Sequence, residues 1–452
     1  MRVAVVGGGM AGLAAAWEMR AGAEVTVFEP DHLGGKVVTS DFCGRPVDEG
    51  ADAFITRQPA ALDLCRQLGI DGDLVAPAAG RSLLWWDGRL RALPDGLALG
   101  VPTRLGSLAT SGLLSPAGVA RAALDVILPR RLDPAGTTVH QLVAARFGSQ
   151  VADRLVDPLV GGIHAGLTEE LGAAEVTPQL VAAAGRSRSL LRGLRAGPVA
   201  AAGPLFVAPR AGMEAIAVRL VEELKGDGVG FVGTPVAAVS SVAGAGRPRV
   251  VVAPDDEPFD AAVVAVPAGV AASLLAGSAP AAAAALGGVA YASVALVTMM
   301  FAGEAPPPGV NGFLVPRAAG ALMTACSFGS SKWPHWAAPG HTVVRLSAGR
   351  HGDDRAVELD DGPLVERLAG ELARFTGWRS APVAWRVSRW AHSFPQYTPG
   401  HAGRVGAAEN QLRQLLPNVT LAGAAYGGVG IPACVESGRR AAATLRERLA
   451  GP

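Results

Sequence analysis

Val3-Ala4-Val5-Val6-Gly7-Gly8-Gly9-Met10-Ala11-Gly12 opens the chain, and its reading decides the fold. The apolar, β-branched run Val3 to Val6 has the composition of a fully buried parallel strand. Leu13 to Met19 consists of helix formers, and a second apolar run, Val25-Thr26-Val27-Phe28, ends at Glu29. Strand, Gly-x-Gly-x-x-Gly, helix, strand and acid follow one another in the layout of a dinucleotide-binding βαβ unit. Gly7 permits the tight turn, Gly9 lets the backbone approach a pyrophosphate, and Gly12 lets the helix pack closely on the sheet. The helix N-terminus faces the phosphates, and Glu29 is placed to accept hydrogen bonds from the adenosine ribose. A glycine-rich loop without a ligand is the alternative. The position of the motif at the head of the chain, and the spacing to its acid, favour the nucleotide.

Leu33-Gly34-Gly35-Lys36 follows Glu29 closely. NAD enzymes do not usually carry this second glycine pair. It resembles the Gly-Gly-Arg/Lys of FAD enzymes in the amine-oxidase superfamily, and the cofactor that resemblance implies is FAD.

Length and composition bound the rest. At 452 residues the chain exceeds the usual single-core size, so two or more domains are expected. Forty basic against thirty-nine acidic residues leave a net charge of +1, with no nucleic-acid footprint. The four cysteines, Cys43, Cys65, Cys326 and Cys434, lack Cys-x-x-Cys spacing and a histidine at ligand distance, which argues against a zinc site or disulfide framework. Because the N-terminus is itself the first strand, no signal peptide is expected and the chain reads as cytoplasmic. The uncharged stretch Ala261 to Gly303 is interrupted by Pro267, Pro280, Gly287 and Gly288, so it reads as strand, helix and strand rather than a membrane span.

After Lys36 a hairpin-like stretch leads to Val47-Asp48-Glu49-Gly50-Ala51-Asp52-Ala53-Phe54 and a helix from Gln58 to Leu68. Gly50 between acids suits either a close approach to a ligand or an ordinary turn. Arg57, just before that helix, either points into a neighbouring cavity or is a solvated surface residue. From about residue 80 the character changes. Trp85-Trp86-Asp87-Gly88 suggests a hairpin, and helices of Ala, Leu, Val and Arg follow. The sparsely charged Leu97 to Leu128 reads as a helix layer or as a monotopic membrane patch. In Asp157-Pro158-Leu159-Val160-Gly161-Gly162-Ile163-His164-Ala165-Gly166, His164 has the pH-7 transition, in a structural or a catalytic role. Arg186 to Arg195 reads as a solvated face or loop.

From Phe206 the first domain resumes, with a helix to Leu224, strands at Gly230–Val232 and Thr234–Val236, a strand Val250–Val252 and a buried run Ala262 to Val266. Such a return implies discontinuous domains. The expected nucleotide-binding domain comprises 1–79, 205–275 and 388–452. A second domain comprises 80–204 and 276–387, with a helical part near 97–204, further strands and an amphipathic helix Pro363 to Thr376. Near the end, Gly427-Gly428-Val429-Gly430-Ile431-Pro432 enters a final helix running to Leu449. That turn offers a second helix dipole to the electron-rich pyrimidine end of a flavin.

Three stretches carry a narrower resemblance: Trp390 through Pro395-Gln396-Tyr397 to Gly400-His401; Asp157-Pro158 through Gly166; and Ser331-Lys332-Trp333-Pro334 with Arg345-Leu346-Ser347-Ala348-Gly349-Arg350. With the glycine motifs they resemble, in register over essentially the whole chain, the FAD-dependent protoporphyrinogen IX / coproporphyrinogen III oxidase family of haem biosynthesis. The implied fold is α/β: an FAD-binding, Rossmann-like domain of the glutathione-reductase type, as in the amine-oxidase superfamily, with a discontinuous α+β substrate domain. The implied cofactor contacts are Gly7, Gly9, Met10, Ala11, Gly12, Glu29, Gly34, Gly35, Lys36, Gly50, Ala51, Asp52, Val236, Gly423, Val429, Gly430 and Ile431. Arg57 matches a basic position that faces a substrate propionate, Gly162 a backbone carbonyl near the pyrrole nitrogens, and His164 a position usually aromatic. The apolar residues that sandwich the macrocycle are expected near Val289 to Leu296.

The resemblance implies a six-electron oxidation in three steps, with dioxygen as acceptor and hydrogen peroxide as product. No dedicated acid–base dyad is needed, since pyrrole protons leave to solvent. Coproporphyrinogen III is the expected substrate, from similarity to compact bacterial members, and protoporphyrinogen IX the alternative. A tetrapyrrole, dioxygen and a transient ferrochelatase contact are the partners this implies, with membrane contact at most peripheral. A flavin amine oxidase, using Tyr426, Trp390 and Lys332, and a non-catalytic tetrapyrrole carrier remain as rivals.

Overall fold

A computed structural model of the chain describes residues 1–128, 136–197, 203–243, 249–253 and 255–450. The chain divides into two units: Met1–Ala76 with Gly203–Ala290 and Ala402–Pro452, and Pro77–Ala202 with Tyr291–His401. Besides shifts of two or three residues at 77–79 and 203–204, two longer stretches fall differently from the sequence expectation. Residues 276–290 go with the first unit, because helix Pro280–Gly287 packs on helix Ala268–Leu275. Residues 388–401 go with the second, because strand Ala384–Pro395 pairs along its length with strand Tyr291–Ala302.

The first unit is built on a five-stranded parallel sheet. Strand Arg2–Val6 lies between Glu24–Phe28 and Ala261–Val264, with Gly230–Val232 and Val419–Leu421 at the edges. Val5 stands opposite Val27 on one side and Val263 on the other. Val3, Ala4, Val5 and the whole of Ala261–Val264 are buried, as central parallel strands must be. Helices Met10–Met19, Glu214–Gly226 and Ile431–Ala450 pack together with this sheet. The uncharged stretch after Ala261 holds two helices, Ala268–Leu275 and Pro280–Gly287, where one was expected; Pro280 takes the first position of the second, where its missing N–H costs nothing.

The second unit carries a seven-stranded sheet in the order Ala384–Pro395, Tyr291–Ala302, His341–Ala348, Met323–Ser327, Val310–Leu314, Arg81–Trp86, Arg89–Ala92. All neighbours are antiparallel except Val310–Leu314 with Arg81–Trp86. Asp87 and Gly88 join the last two strands with φ +52° and +73°, the primed-turn geometry that matches strand twist. Helix Asp361–Thr376 buries Leu364, Leu368, Leu372 and Phe375 against Val297, Phe313, Phe328 and Leu346.

A separate helical core gathers Leu108, Leu142, Phe147, Leu155, Leu171 and Leu190. Most apolar side chains of Leu97 to Leu128 are thereby covered, while Leu124 and Ile127 are exposed. Residues 129–135 and 198–202, within the expected helical part, lie outside the described residues. Among the described residues no helix is long and apolar enough to cross a membrane.

Candidate active site

The first helix starts at Met10 with Gly9 as its N-cap, in extended conformation, with neither a side-chain cap nor an acid in its first turn. Leu13 N–H donates to Gly9 C=O at 2.9 Å. The N–H groups of Met10, Ala11 and Gly12 meet no acceptor among the described residues, although all three residues are buried. Buried, unpaired amides at a helix start call for an anion. Space is left for one: a Cβ on Gly9 would meet nothing within 4 Å. The neighbouring glycines are closed by contrast. A Cβ on Gly7, at φ +107°, would lie 2.6 Å from Ala265 O, and one on Gly12 1.9 Å from Gly7 O. The turn is drawn tight so that Gly9 alone of these three faces open space.

Glu29 braces this turn. Its Oε2 accepts from Gly8 N–H at 2.8 Å and its Oε1 from Asp31 N–H at 3.0 Å. Each oxygen keeps a second lone pair for a ribose hydroxyl. Gly34 N–H donates to Gly8 C=O at 2.8 Å, and Gly35, at φ +61°, passes within 3.1 Å of Gly9 Cα as measured from its would-be Cβ. The second glycine pair is therefore packed on the first glycine turn, with Lys36 exposed beyond it. Ala51 is exposed, and Gly50 and Asp52 half-buried, on a stretch anchored by Asp48. That carboxylate, 1% exposed, accepts from Thr39 Oγ1 at 2.6 Å and from Met213 N–H at 2.7 Å. Val236 is half-buried in the irregular link after Gly230–Val232.

The second glycine turn belongs to the same unit. Gly423, Gly428 and Gly430 have φ of +122°, +120° and +106°. Gly423 N–H donates to Ser437 Oγ at 3.0 Å, which ties the turn to the helix it precedes. Ile431 is buried and Val429 half-buried, and the N–H groups of Ile431 and Ala433 find no acceptor among the described residues. A Cβ on Gly423 would lie 3.9 Å from Ala11 Cβ, so this turn adjoins the first turn of the opening helix. Two helix starts with unpaired amides thus stand in one unit, an arrangement that fits a long anionic cofactor. Tyr426 is engaged elsewhere, donating its hydroxyl to Val266 C=O at 3.0 Å.

Arg57 lies in this first unit. Strand Phe54–Ile55 pairs with Phe206–Pro209, and Thr56 N–H donates to Leu205 C=O at 3.0 Å. Pro59 then begins the helix Pro59–Gln67. Arg57, held between these two fixed points, is exposed and has no hydrogen bond or ion pair among the described residues.

Gly162 and His164 lie in the second unit, at the end of a ten-residue π-helix, Ala152–Gly161, which contains Pro158. Gly162 and Ile163 are exposed, and Ala165 turns left-handed at φ +46°. His164 is half-buried, with Nδ1 shielded from solvent and unpartnered. Burial pushes its imidazole down to about 4, so it is neutral at pH 7. Its ring stands 6.2 Å from Tyr397, which in turn stacks on His401 at 4.5 Å. Beside it Ala165, Ala292 and Val294 form a small buried cluster with Trp390 and Phe394 packed on it. Ala292 and Val294 fall within the stretch Val289 to Leu296. The pairing of Tyr291–Ala302 with Ala384–Pro395 is irregular there, with Ala292 opposite Phe394 but Val294 opposite Trp390. Lys332 places its ammonium 5.2 Å from the buried Trp333 ring.

Residues 10–446 match the family described as flavin containing amine oxidoreductase. The chain belongs to the flavin-containing amine oxidoreductase family. Relatives of this flavin-containing amine oxidoreductase include the coproporphyrinogen III oxidase of Mycobacterium bovis, 35% identical, with 98% of this chain and 97% of the relative covered. The protoporphyrinogen oxidase of Bos taurus is 31% identical, with 98% of each covered. Among solved structures, the "putative protoporphyrinogen oxidase" of Exiguobacterium sp. 255-15 superposes with a TM-score of 0.87 at 30% identity over 99% of both chains. The fold is that of the flavin amine-oxidase superfamily and the cofactor is FAD. The unpaired amides of Met10 to Gly12 and the open face of Gly9 suit its pyrophosphate.

Asp48, Ser437, Gly438 and Gln396 escape notice as site-building residues when read from sequence. Gly438, Asp48 and Gln396 act on partners far away along the chain, Ala11, Met213 and His164, whereas Ser437 reaches Gly423, fourteen residues earlier.

Proposed function

We propose that this flavoenzyme oxidises a porphyrinogen in haem biosynthesis, and that its substrate is coproporphyrinogen III, converted to coproporphyrin III. The observation that carries the reading is the end-to-end match to relatives that bear the name coproporphyrinogen III oxidase. FAD, when bound, supplies the two-electron acceptor for the hydrogens of the methylene bridges. The first unit holds it through the amides of Met10 to Gly12, through Glu29 and through the Val429–Ile431 turn. Three two-electron oxidations consume three molecules of dioxygen and release three of hydrogen peroxide.

The chain's own residues bind and orient. Arg57 offers a planar, unpaired guanidinium to a propionate; a charge-assisted pair of this kind contributes roughly 1.5–3 kcal/mol. The carbonyl of Gly162 accepts a pyrrole N–H. His164, neutral at pH 7, presents a ring face without repelling or attracting carboxylates. Proton removal needs no dedicated base, because pyrrole N–H groups exchange with solvent as the macrocycle tautomerises. We place the enzyme in the cytoplasm, with contact to a membrane at most peripheral and product passed to a ferrochelatase.

The name borne by the bovine relative favours a second reading, protoporphyrinogen IX as substrate. Comparing kcat/KM for the two porphyrinogens in air, read by porphyrin fluorescence, decides between them. Coproporphyrinogen III is expected to be oxidised at least as well; a strong preference for protoporphyrinogen IX refutes the assignment. Flavin that neither compound reduces without oxygen refutes the function.

A further inference from the structure

Two stretches far apart in sequence meet inside the second unit. One is the π-helix Ala152–Gly161 and the turn after it; the other is Phe394-Pro395-Gln396-Tyr397. A ten-residue π-helix and an alanine at φ +46° are both conformations that persist only when their surroundings hold them. The bonds that do so can be named. Asp157 Oδ1 accepts from Thr168 N–H at 3.2 Å and Thr168 Oγ1 at 2.8 Å. Gly166 N–H donates to Gly161 C=O at 3.0 Å, and His351 N–H to Ala165 C=O at 2.7 Å.

Gln396 completes the set. It is 3% exposed, and its Nε2 donates to His164 C=O and to Phe394 C=O, each at 3.0 Å. Its Oε1 lies so close to Gly166 that a Cβ there would stand 2.4 Å away. The side-chain amide is therefore wedged in the turn, bridging it to a segment 232 positions later in sequence. The pattern of carbonyls shows what the wedge achieves. Those of Gly161, His164 and Ala165 are each taken by a donor. Those of Gly162 and Ile163, on the two exposed residues of the turn, receive none among the described residues.

We infer that Gln396 is a positioning residue that locks this turn with the Gly162 carbonyl free, so that it can receive a pyrrole N–H of the substrate. The inference rests on the porphyrinogen reading above. It does not require Gln396 to touch the substrate.

Two variants of the holoenzyme test it. Gln396→Met keeps the volume and removes both donors; Gln396→Glu removes them until the carboxyl is protonated, when one O–H returns. With flavin content equal to wild type, Gln396→Met is expected to slow anaerobic bleaching of the flavin by coproporphyrinogen III roughly 10- to 100-fold, the scale on which a displaced positioning group acts. Reoxidation by air of dithionite-reduced flavin, which needs no porphyrinogen, is expected to be unchanged. Gln396→Glu should recover bleaching rate as the pH falls, unlike wild type, and amides of 163–166 should exchange hydrogen faster in Gln396→Met. Bleaching at the wild-type rate in Gln396→Met, or equal slowing of both half-reactions, overturns the inference. Wild-type flavin that neither porphyrinogen bleaches overturns the function itself, and the substrate role of Gln396 with it.

Discussion

Gly438 stands directly against Ala11: a Cβ on Gly438 would come 2.1 Å from the Ala11 carbonyl oxygen and 3.0 Å from Ala15 N. The opening helix and the last one therefore touch backbone to backbone, and the turn that carries Met10 and Ala11 is seated by a residue more than four hundred positions later. Backbone cannot rotate away as a side chain can. Gly438→Ala is accordingly expected to lower stability by about 1–3 kcal/mol through overpacking and to reduce flavin content. Thermal unfolding with and without added FAD measures both.

Gly9 and Gly12 should separate cofactor binding from folding. Gly9 has φ −72° and ψ 176°, which alanine adopts freely, and its Cβ would enter open space. In Gly9→Ala the stripped protein should melt at or slightly above the wild-type temperature, while its FAD affinity falls. Gly12→Ala would push a methyl to 1.9 Å from Gly7 O, so the stripped protein itself should melt lower. Equal loss of FAD-free stability in the two variants would contradict the assignment of Gly9 to the pyrophosphate.

Arg57→Ala removes an exposed guanidinium that makes no hydrogen bond or ion pair among the described residues. Folding and flavin content should stay as in wild type. Loss of a charge-assisted pair of roughly 1.5–3 kcal/mol corresponds to a fall in kcat/KM of roughly ten- to a hundredfold. Steady-state kinetics with coproporphyrinogen III measures it, and unchanged constants would remove Arg57 from the site.

His164 makes the protein sensitive to acid. Its folded-state value of about 4 lies below the ordinary 6.5, and burial is the cause. Between these values the unfolded chain takes up a proton that the folded one refuses, so acidification favours unfolding. The effect is absent above about pH 6.5, grows as pH falls towards about 4, and levels off below. His164→Phe lacks it. Melting temperatures recorded across this range should fall less steeply with acid in the variant; parallel curves would show that the ring is not shielded in solution.

Much of the nucleotide-binding unit is legible in the sequence because its signals are local. The spacing of Gly7, Gly9 and Gly12, the β-branched runs around Val5 and Val27, and the acid at Glu29 all lie within thirty residues of one another. Less was legible where one side chain serves distant partners. The arginines of Arg186 to Arg195 are exposed, as a solvated face requires, but the same stretch also buries Leu190, Leu191 and Gly193 in the helix Leu190–Arg195. The reason is Asp125. Fully buried, it pairs with Arg146 at 2.7 Å and accepts from Ser189 Oγ at 2.7 Å and Leu191 N–H at 2.9 Å. A buried carboxylate is tolerated only with such a complete set of donors, and nothing in the spacing of these residues announces it. Gln396 is a similar case, conspicuous in its motif while its partner His164 lies on another stretch altogether.

The seating of the opening helix on the closing one has a consequence for how the protein is made. Ribosomes deliver the glycine-rich turn more than four hundred residues before 431–450. Until that last helix arrives, Ala11 and Ala15 have no Gly438 to cover them, and one of the two uncapped helix starts does not yet exist. Loading with flavin is therefore expected to wait for that helix, and a polypeptide halted before residue 430 is expected to bind none.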